Sequence, residues 1–167
     1  MTFEGKLSAV FGLDDGTWMR HANPWSVWTR TTVLPALVVS FWSRVWIGRW
    51  SVLPVLISVL WMFLNPRLFP EPESTDNWAS KAVLGERVWK NRNETPVPTV
   101  HKKAPHILNG VSAVGTVMLA WGVYRLHFWF TLTGLVLAFV GKLWFLDRMV
   151  WLYEDMKDVG EYGEWLY

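Results

Sequence analysis

The sequence predicts an all-α membrane protein with four transmembrane helices, arranged as two hairpins with an interfacial amphipathic helix between them. Hydrophobic residues make up 51% of the chain, and charged residues make up only 18%. Fourteen of its 167 residues are tryptophan, a number that a small soluble core cannot bury but that two bilayer interfaces accommodate. Four apolar runs of 16 to 19 residues have nearly the length at which a helix crosses a hydrocarbon core of about 30 Å.

The four apolar runs form two pairs with very short connections: 31–48 and 50–65, then 107–124 and 128–146. Their apolar residues follow neither a single helical face nor an alternating pattern, which argues against surface helices and half-buried strands. A soluble helical bundle would need a polar face that these runs lack. Pro35 and Pro54 lie inside the first pair and should kink its helices. A re-entrant first hairpin is an alternative to two full spans.

These features divide the chain into five segments. They are an N-terminal interfacial segment (1–30), transmembrane hairpin 1 (31–65), a cytoplasmic or interfacial segment (66–106), transmembrane hairpin 2 (107–147) and an acidic C-terminal tail (148–167). The first residues lack the basic cluster and continuous apolar core of a signal peptide. We expect one or two amphipathic turns there, with Phe3, Leu7, Val10 and Phe11 on one side.

The distribution of basic residues predicts the orientation of the spans. Four spans place both termini and segment 66–106 on one side, which then holds twelve of the sixteen Lys and Arg residues. The opposite side holds Arg44, Arg49 and Arg125. The positive-inside rule puts the termini in the cytoplasm, in a plasma or inner membrane. Tryptophans near both ends of the runs would form two aromatic belts: Trp42, Trp46, Trp50, Trp121 and Trp129, then Trp28, Trp61, Trp144 and Trp151.

Two further stretches predict helices outside the apolar runs. In "RHANPWSVWTR" (20–30), Asn23 is a good N-cap and Pro24 suits the first helical position. In "STDNWASKAVLGERVWKNR" (74–92), a stripe of Trp78, Ala82, Gly85 and Trp89 indicates a helix, with Glu86 able to pair with Lys90. This helix either lies on the membrane surface with its indoles downward or packs as a cap across the ends of the transmembrane helices.

The stretch "KLWFLDRMVWLYED" (142–155) places Asp147 beside Arg148 where the fourth run ends. Arg148 can extend to the headgroups, whereas Lys142, one turn deeper, must extend outward or pair. Adjacent helical residues point about 100° apart, so we expect Asp147 to find another partner, with Arg30, Arg67 and Arg87 as candidates. The sequence thus predicts a polar cluster at the cytoplasmic rim: His21, Asn23, Arg30, Asn65, Arg67, Glu86, Arg87, Asp147, Arg148 and Asp155.

This cluster has three interpretations. As a structural lock it would tie the helix ends together. As a binding site for an anionic headgroup or amphiphile, it would use Asn23, Arg30, Asn65, Arg67, Arg87 and Arg148, because arginines bind phosphate in a bidentate manner. As an enzyme site it would use Glu86, Asp147 or His21 as the general acid or base. We predict no metal site, because His101 and His106 lack the i, i+4 spacing of a helical pair and His127 lies on the far side.

Composition limits the chemistry further. No cysteine is present, which excludes disulfides, zinc–thiolate sites, iron–sulfur clusters and cysteine nucleophiles. A formal net charge of +2 without any block of like charge gives no indication of a nucleic acid partner. The sequence identifies no cofactor.

Four motifs in order, "RHANPWSVWTR", "LNPRLF", "WASKAVLGER" and "KLWFLDRMVWL", resemble the signature segments of a small multi-pass membrane family of bacteria and archaea whose function is unknown. The likeness spans roughly residues 18 to 153. It implies a membrane protein and supplies no activity, substrate or catalytic residues.

The leading functional interpretation is a non-enzymatic integral membrane protein, either an accessory subunit or a binder of lipid or another hydrophobic ligand. The alternative is a membrane-embedded enzyme that acts on a lipid or isoprenoid-like substrate at the cytoplasmic interface. Expected partners are membrane lipids and either a second copy or a larger membrane complex. Small residues in the third run would allow close helix approach: Gly110, Ser112, Ala113, Gly115, Ala120 and Gly122.

Overall fold

A computed structural model of the protein describes residues 15–167, and the regular structure of this part of the chain is entirely helical. The N-terminal turns expected at residues 3–11 lie outside the described residues. The α-helices are α1 (Asp15–His21), α2 (Pro24–Thr31), α3 (Val33–Trp42), α4 (Arg44–Ile47), α5 (Val52–Leu68), α6 (Trp78–Lys90), α7 (Ala104–Arg125) and α8 (Phe128–Met156). Short 3₁₀ turns cover Gly48–Ser51, Thr99–His101 and Gly160–Trp165.

Three segments of the described chain are long and apolar enough to cross a membrane: Pro24–Leu68, Thr99–Arg125 and Phe128–Met156. In the most apolar window of the first segment only 6% of the residues are buried, so its side chains face outward. Large apolar side chains such as Ile57, Val117 and Trp129 are each about two-thirds exposed. A surface this apolar is suited to lipid rather than to water.

Pro35 and Pro54 lie in the first turns of two helices of the first segment. Pro35 is the third residue of α3, and Pro54 is the third residue of α5. The N–H groups of a helix's first turn have no acceptor within the helix, so a proline there costs no hydrogen bond. Kinks at these two positions stay a prediction. Between the two helices Gly48 has a φ of +56° and the chain turns. The Ser40 and Ser58 hydroxyl oxygens, 3.3 Å apart, then join α3 to α5.

Helices α7 and α8 pack backbone against backbone. A Cβ at Gly134 would overlap the main-chain nitrogen of Leu119, and one at Gly141 would lie 2.7 Å from that of Ser112. Gly115 and Gly122 on α7 are equally close to α8. Of the small residues predicted to allow close approach, Gly110, Ala113 and Ala120 are instead exposed to the surroundings of α7. Helix α8 then continues past residue 147 to Met156.

The buried core lies at one end of the apolar helices, around α6. Eight of the thirteen residues of α6 are buried, and a Cβ at Gly85 would overlap the main-chain oxygen of Met149 on α8. Helix α6 therefore packs across the helix ends, which is the second of the two alternatives for this segment. We call the unit formed by α1, α6, the end of α8 from Phe145 to Met156 and the turn Gly160–Trp165 the cap.

The C-terminal residues complete the cap. Tyr162 and Trp165 are buried in its core, and the Tyr153 hydroxyl donates to the Tyr162 carbonyl at 3.0 Å. Thr75, at the approach to α6, donates its N–H to the Tyr167 main-chain oxygen at 2.7 Å and its hydroxyl to the Trp165 carbonyl at 2.8 Å. Residues 148–167, expected as an acidic tail, thus contribute to the core as well as to the surface.

Candidate functional site

Four polar side chains meet where α1, α2, α6 and α8 come together, at the boundary between the cap and the apolar helices. The Arg30 guanidinium lies against His21, with Nη1 2.5 Å from Nδ1. Lys142 Nζ lies 2.6 Å from Glu86 Oε1. The two pairs are neighbours, since Arg30 and Lys142 both act electrostatically on His21 and Glu86 acts on Arg30. We call these four residues the junction cluster.

The contact with Arg30 determines the protonation state of His21. A guanidinium carries only donors, so the imidazole Nδ1 must accept and the ring proton must lie on Nε2. Burial lowers the pKa of His21 well below its ordinary value, and the positive charges of Arg30 and Lys142 lower it further. His21 is therefore a neutral acceptor at physiological pH, and it orients Arg30.

The junction cluster carries one excess positive charge, since Arg30 and Lys142 are positive, Glu86 is negative and His21 is neutral. The Lys142 side chain is 53% exposed and that of Glu86 is 21% exposed, so the cluster opens outward past Lys142. Unbalanced charge in a partly buried site is unfavourable unless an ion of opposite sign approaches. The arrangement is thus suited to an anion that reaches it from the side of α8.

The predicted asparagines have internal partners. Asn65 is fully buried, accepts a hydrogen bond from the Ser26 hydroxyl at 2.8 Å and donates one to the Thr29 hydroxyl at 2.8 Å. Asn23 caps α2 by accepting from the Trp25 N–H at 2.9 Å and donates to the Pro70 carbonyl at 3.1 Å. Both side chains fix α2, the helix that carries Arg30, against the end of α5.

Asp147 and Arg148 pair with each other. Arg148 Nη2 lies 2.7 Å from Asp147 Oδ2, so the expectation that Asp147 would find a different partner was wrong. The Arg148 side chain is long enough to curve back along the helix surface, although the two Cα–Cβ bonds diverge. Trp78 adds a long contact, with Nε1 3.5 Å from Asp147 Oδ1. This pair is charge-balanced and forms no hydrogen bond with the junction cluster within the described chain.

The remaining predicted residues lie apart from one another. Arg67 is exposed and donates to the Phe63 carbonyl at 2.7 Å, while the Arg87 guanidinium lies 4.0 Å from the ring centroid of Trp165. Asp155 pairs with His101 at 2.7 Å. The structure thus separates the single predicted cluster into several groups. The junction cluster brings together three of the predicted residues, His21, Arg30 and Glu86, from two segments.

Two lysines have roles that the candidate list omitted. Lys142, the only charged residue among 128–146, completes the junction cluster, and its isolation in an apolar run was the signal that it needed a partner. Lys81 bridges Asp76 and Glu154, the latter at 2.6 Å. Hydrogen bonds to Asp76 and Glu154 raise the pKa of Lys81. This bridge fastens α6 to α8 on the solvent side of the cap.

Between residues 15 and 167, no group of three His, Asp or Glu side chains lies close enough together to hold a metal ion. The buried side-chain nitrogen and oxygen atoms in this region that lack a hydrogen-bonding partner are the indole nitrogens of Trp42 and Trp89 and Arg148 Nε. They are scattered and do not converge on one site.

Comparison with known proteins identifies a family whose function is unknown. No curated protein and no solved structure matches the chain. The family of unknown function DUF6653 matches residues 2–165, which covers every helix described above. The match agrees with the resemblance to a family of unknown function found in the motifs. On this match, the chain belongs to the family of unknown function DUF6653.

Proposed function

We propose that the protein is a multi-pass integral membrane protein that binds an anionic lipid headgroup at the junction cluster without transforming it. The observation that carries this proposal is the excess positive charge of the cluster, held by Arg30 and Lys142 beside an apolar surface. A phosphate fits this charge, because a guanidinium offers it paired donors and an ammonium adds a point charge. The exposed rings of Trp25 and Trp144 suit the headgroup level of a bilayer.

The topology that accompanies this proposal has four spans arranged as two hairpins. The turn at Gly48 lies inside the candidate segment Pro24–Leu68, so that segment would cross the membrane twice. Helices α7 and α8 supply the other two crossings. The cap and both termini then lie on one side, which the excess of basic residues assigns to the cytoplasm.

The test is lipid binding by the purified protein in detergent, measured by native mass spectrometry with phosphatidylglycerol and phosphatidylcholine as probes. We expect phosphatidylglycerol to be retained at least fivefold more than phosphatidylcholine. Arg30→Gln and Lys142→Gln should reduce that preference. Arg125→Gln, which removes an arginine from the opposite end of α7, is the matched control and should preserve it. Equal retention of both lipids by the natural sequence, or a preference unchanged in both variants, would contradict the proposal.

A membrane-embedded enzyme acting on a lipid or isoprenoid-like substrate is the second candidate. It is favoured by the neutral imidazole of His21 in the same cluster as Glu86, because a neutral imidazole can act as a general base. Incubation with radiolabelled phospholipid and polyprenyl phosphate distinguishes the two functions. Product that forms with the natural sequence but not with His21→Asn or Glu86→Gln, at unchanged melting temperature, would establish catalysis.

A further inference from the structure

An apolar cavity of about 350 Å³ lies between α3 and α7 and extends from Leu34 to Arg44, at the end farther from the junction cluster. Its walls include Leu34, Leu37 and Phe41 from α3, with Leu119 and Val123 from α7. The volume falls in the range of small-ligand sites, about 300–1,000 Å³. The cavity exists because α7 packs on α8 through glycines and α3 packs on α5 through serines, which leaves α3 and α7 only a short mutual contact.

Arg44 is the one charged residue that lines the cavity. Its Nη2 donates to the Val123 carbonyl at 2.6 Å and to the Tyr124 carbonyl at 2.7 Å, both in the last turn of α7. These two bonds fix the guanidinium at one end of the cavity. Within residues 15–167 its Nη1 and Nε make no hydrogen bond, so one edge of the guanidinium stays available to a second acceptor.

We propose that this cavity binds one acyl chain of an anionic bilayer phospholipid whose phosphate contacts Arg44. The apolar walls match the chain, and the guanidinium at the mouth matches the phosphate in charge and geometry. Trp46, Trp50 and Trp121 are exposed near this end, which places the phosphate at the level of an aromatic belt. The site is distinct from the junction cluster and would lie in the opposite leaflet.

The position of the chain can be mapped with phosphatidylglycerol that carries a photoreactive diazirine on its acyl chain. The protein in nanodiscs is irradiated and digested, and the labelled peptides are identified by mass spectrometry. We expect label to concentrate in residues 34–41 and 116–124. Ala120→Phe, which projects a ring into the cavity, should reduce that label at least fivefold. Ala36→Phe, on an exposed part of α3 outside the cavity lining, is the matched control and should not.

The headgroup contact is tested separately by Arg44→Gln. This variant should weaken retention of phosphatidylglycerol at this site at least fivefold. Retention of phosphatidylcholine, whose phosphate charge is balanced by choline, should fall by less. Arg49→Gln, a neighbouring exposed arginine outside the cavity lining, should behave like the natural sequence. If Ala120→Phe does not elute as folded protein, Val38→Phe narrows the cavity from α3 instead.

Three results would overturn the proposal. Label distributed evenly over the outward faces of α5 and α8 would show ordinary contact with bulk lipid. Label that persists in residues 34–41 and 116–124 of the Ala120→Phe variant would mean that the acyl chain does not lie in the cavity. Disulfide cross-links between copies that carry Leu37→Cys and Val123→Cys, formed in lipid-free detergent, would show that a second copy of the protein occupies the groove. Each result concerns only this end of the molecule, so the junction cluster is judged independently by Arg30→Gln and Lys142→Gln.

Discussion

Asn65 shows how individual polar residues are accommodated in an apolar helix. It follows "WMFL" near the end of α5 and is completely buried. The Ser26 and Thr29 hydroxyls supply a donor and an acceptor for its amide. A buried amide without these partners would be costly, so the three side chains function as one unit that joins α2 to α5.

Asn65→Ala should lower the free energy of unfolding by about 1–3 kcal/mol, because the Ser26 and Thr29 hydroxyls would lose their buried partner. Thermal unfolding of the protein in detergent measures the change. Asn93→Ala removes the same group from an exposed turn and should leave the melting temperature unchanged. Equal melting temperatures for the two variants would refute the structural role of Asn65.

His21 should make the stability of the cap depend on pH. Its folded pKa is lowered by burial and by the charges of Arg30 and Lys142, whereas the unfolded value is about 6.5. The unfolded chain therefore binds the proton more readily, and stability falls as pH decreases from about 6.5 towards the folded pKa. His21→Asn keeps an acceptor for Arg30 and should remove this component of the pH dependence. His106→Asn, at an exposed position, should retain this pH-dependent component. Thermal unfolding of both variants at several values between pH 5 and 8 measures the difference.

At the scale of elements, the contact between α6 and α8 depends on Gly85. No side chain fits there, because a Cβ would overlap the Met149 carbonyl group. The stripe of Ala82, Gly85 and Trp89 that predicted this helix is therefore its packing face against α8. The Lys81 bridge to Glu154 fastens the same pair of helices from outside.

Gly85→Ala should separate α6 from α8 and destabilise the cap by about 1–3 kcal/mol, the usual cost of overpacking. Gly110→Ala is the matched control, since a Cβ there meets nothing within 4 Å. It should be neutral or stabilise α7 by up to about 1 kcal/mol through helix propensity. Circular dichroism during thermal unfolding compares the two. A Gly85→Ala protein as stable as the control would mean that the helices are not in direct contact.

Sequence patterns predicted most helices but not the position of the core. Asn23 and Pro24 begin α2 as expected. The lengths of the apolar runs 107–124 and 128–146 correctly predicted that α7 and α8 are long helices. Whether α6 faces lipid or protein could not be predicted, because both environments select apolar and small residues along one stripe. The partner of Asp147 was missed since helix geometry fixes Cβ directions but not the course of a long arginine side chain. Likewise, nothing in the spacing of His21, Arg30 and Lys142 indicates that the fold brings them together.

The whole molecule combines an apolar part whose surface is suited to lipid with a cap that has a core of its own. The outward-facing side chains of the candidate spans account for its hydrophobic composition. Residues of α6 and the C-terminal region account for most of the buried hydrophobic residues in the described part of the chain. This division is the reason that composition predicted the membrane environment while giving little information about the cap.

The topology can be tested with single cysteines, because the natural sequence has none. With the cap in the cytoplasm, Asn93→Cys should react with an impermeant maleimide only in inside-out vesicles. Arg49→Cys and Arg125→Cys should react only from the outer face of intact cells. A re-entrant first hairpin would leave Arg125→Cys reactive from outside and Arg49→Cys unreactive there. Labelling of Asn93→Cys from the outer face would contradict the orientation.

The pairing of Thr75 with residues 165–167 has a consequence for biosynthesis. These partners are separated by about ninety residues of chain, so α6 leaves the ribosome long before the residues that cover it. Until then its buried side chains, Val88 and Trp89 among them, are accessible to chaperones and proteases. The apolar helices can enter the bilayer as they are translated, whereas the core of the cap is completed only after the C-terminal residues have been made. Translation arrested before residue 160 should therefore yield a chain that is rapidly degraded at its uncovered α6.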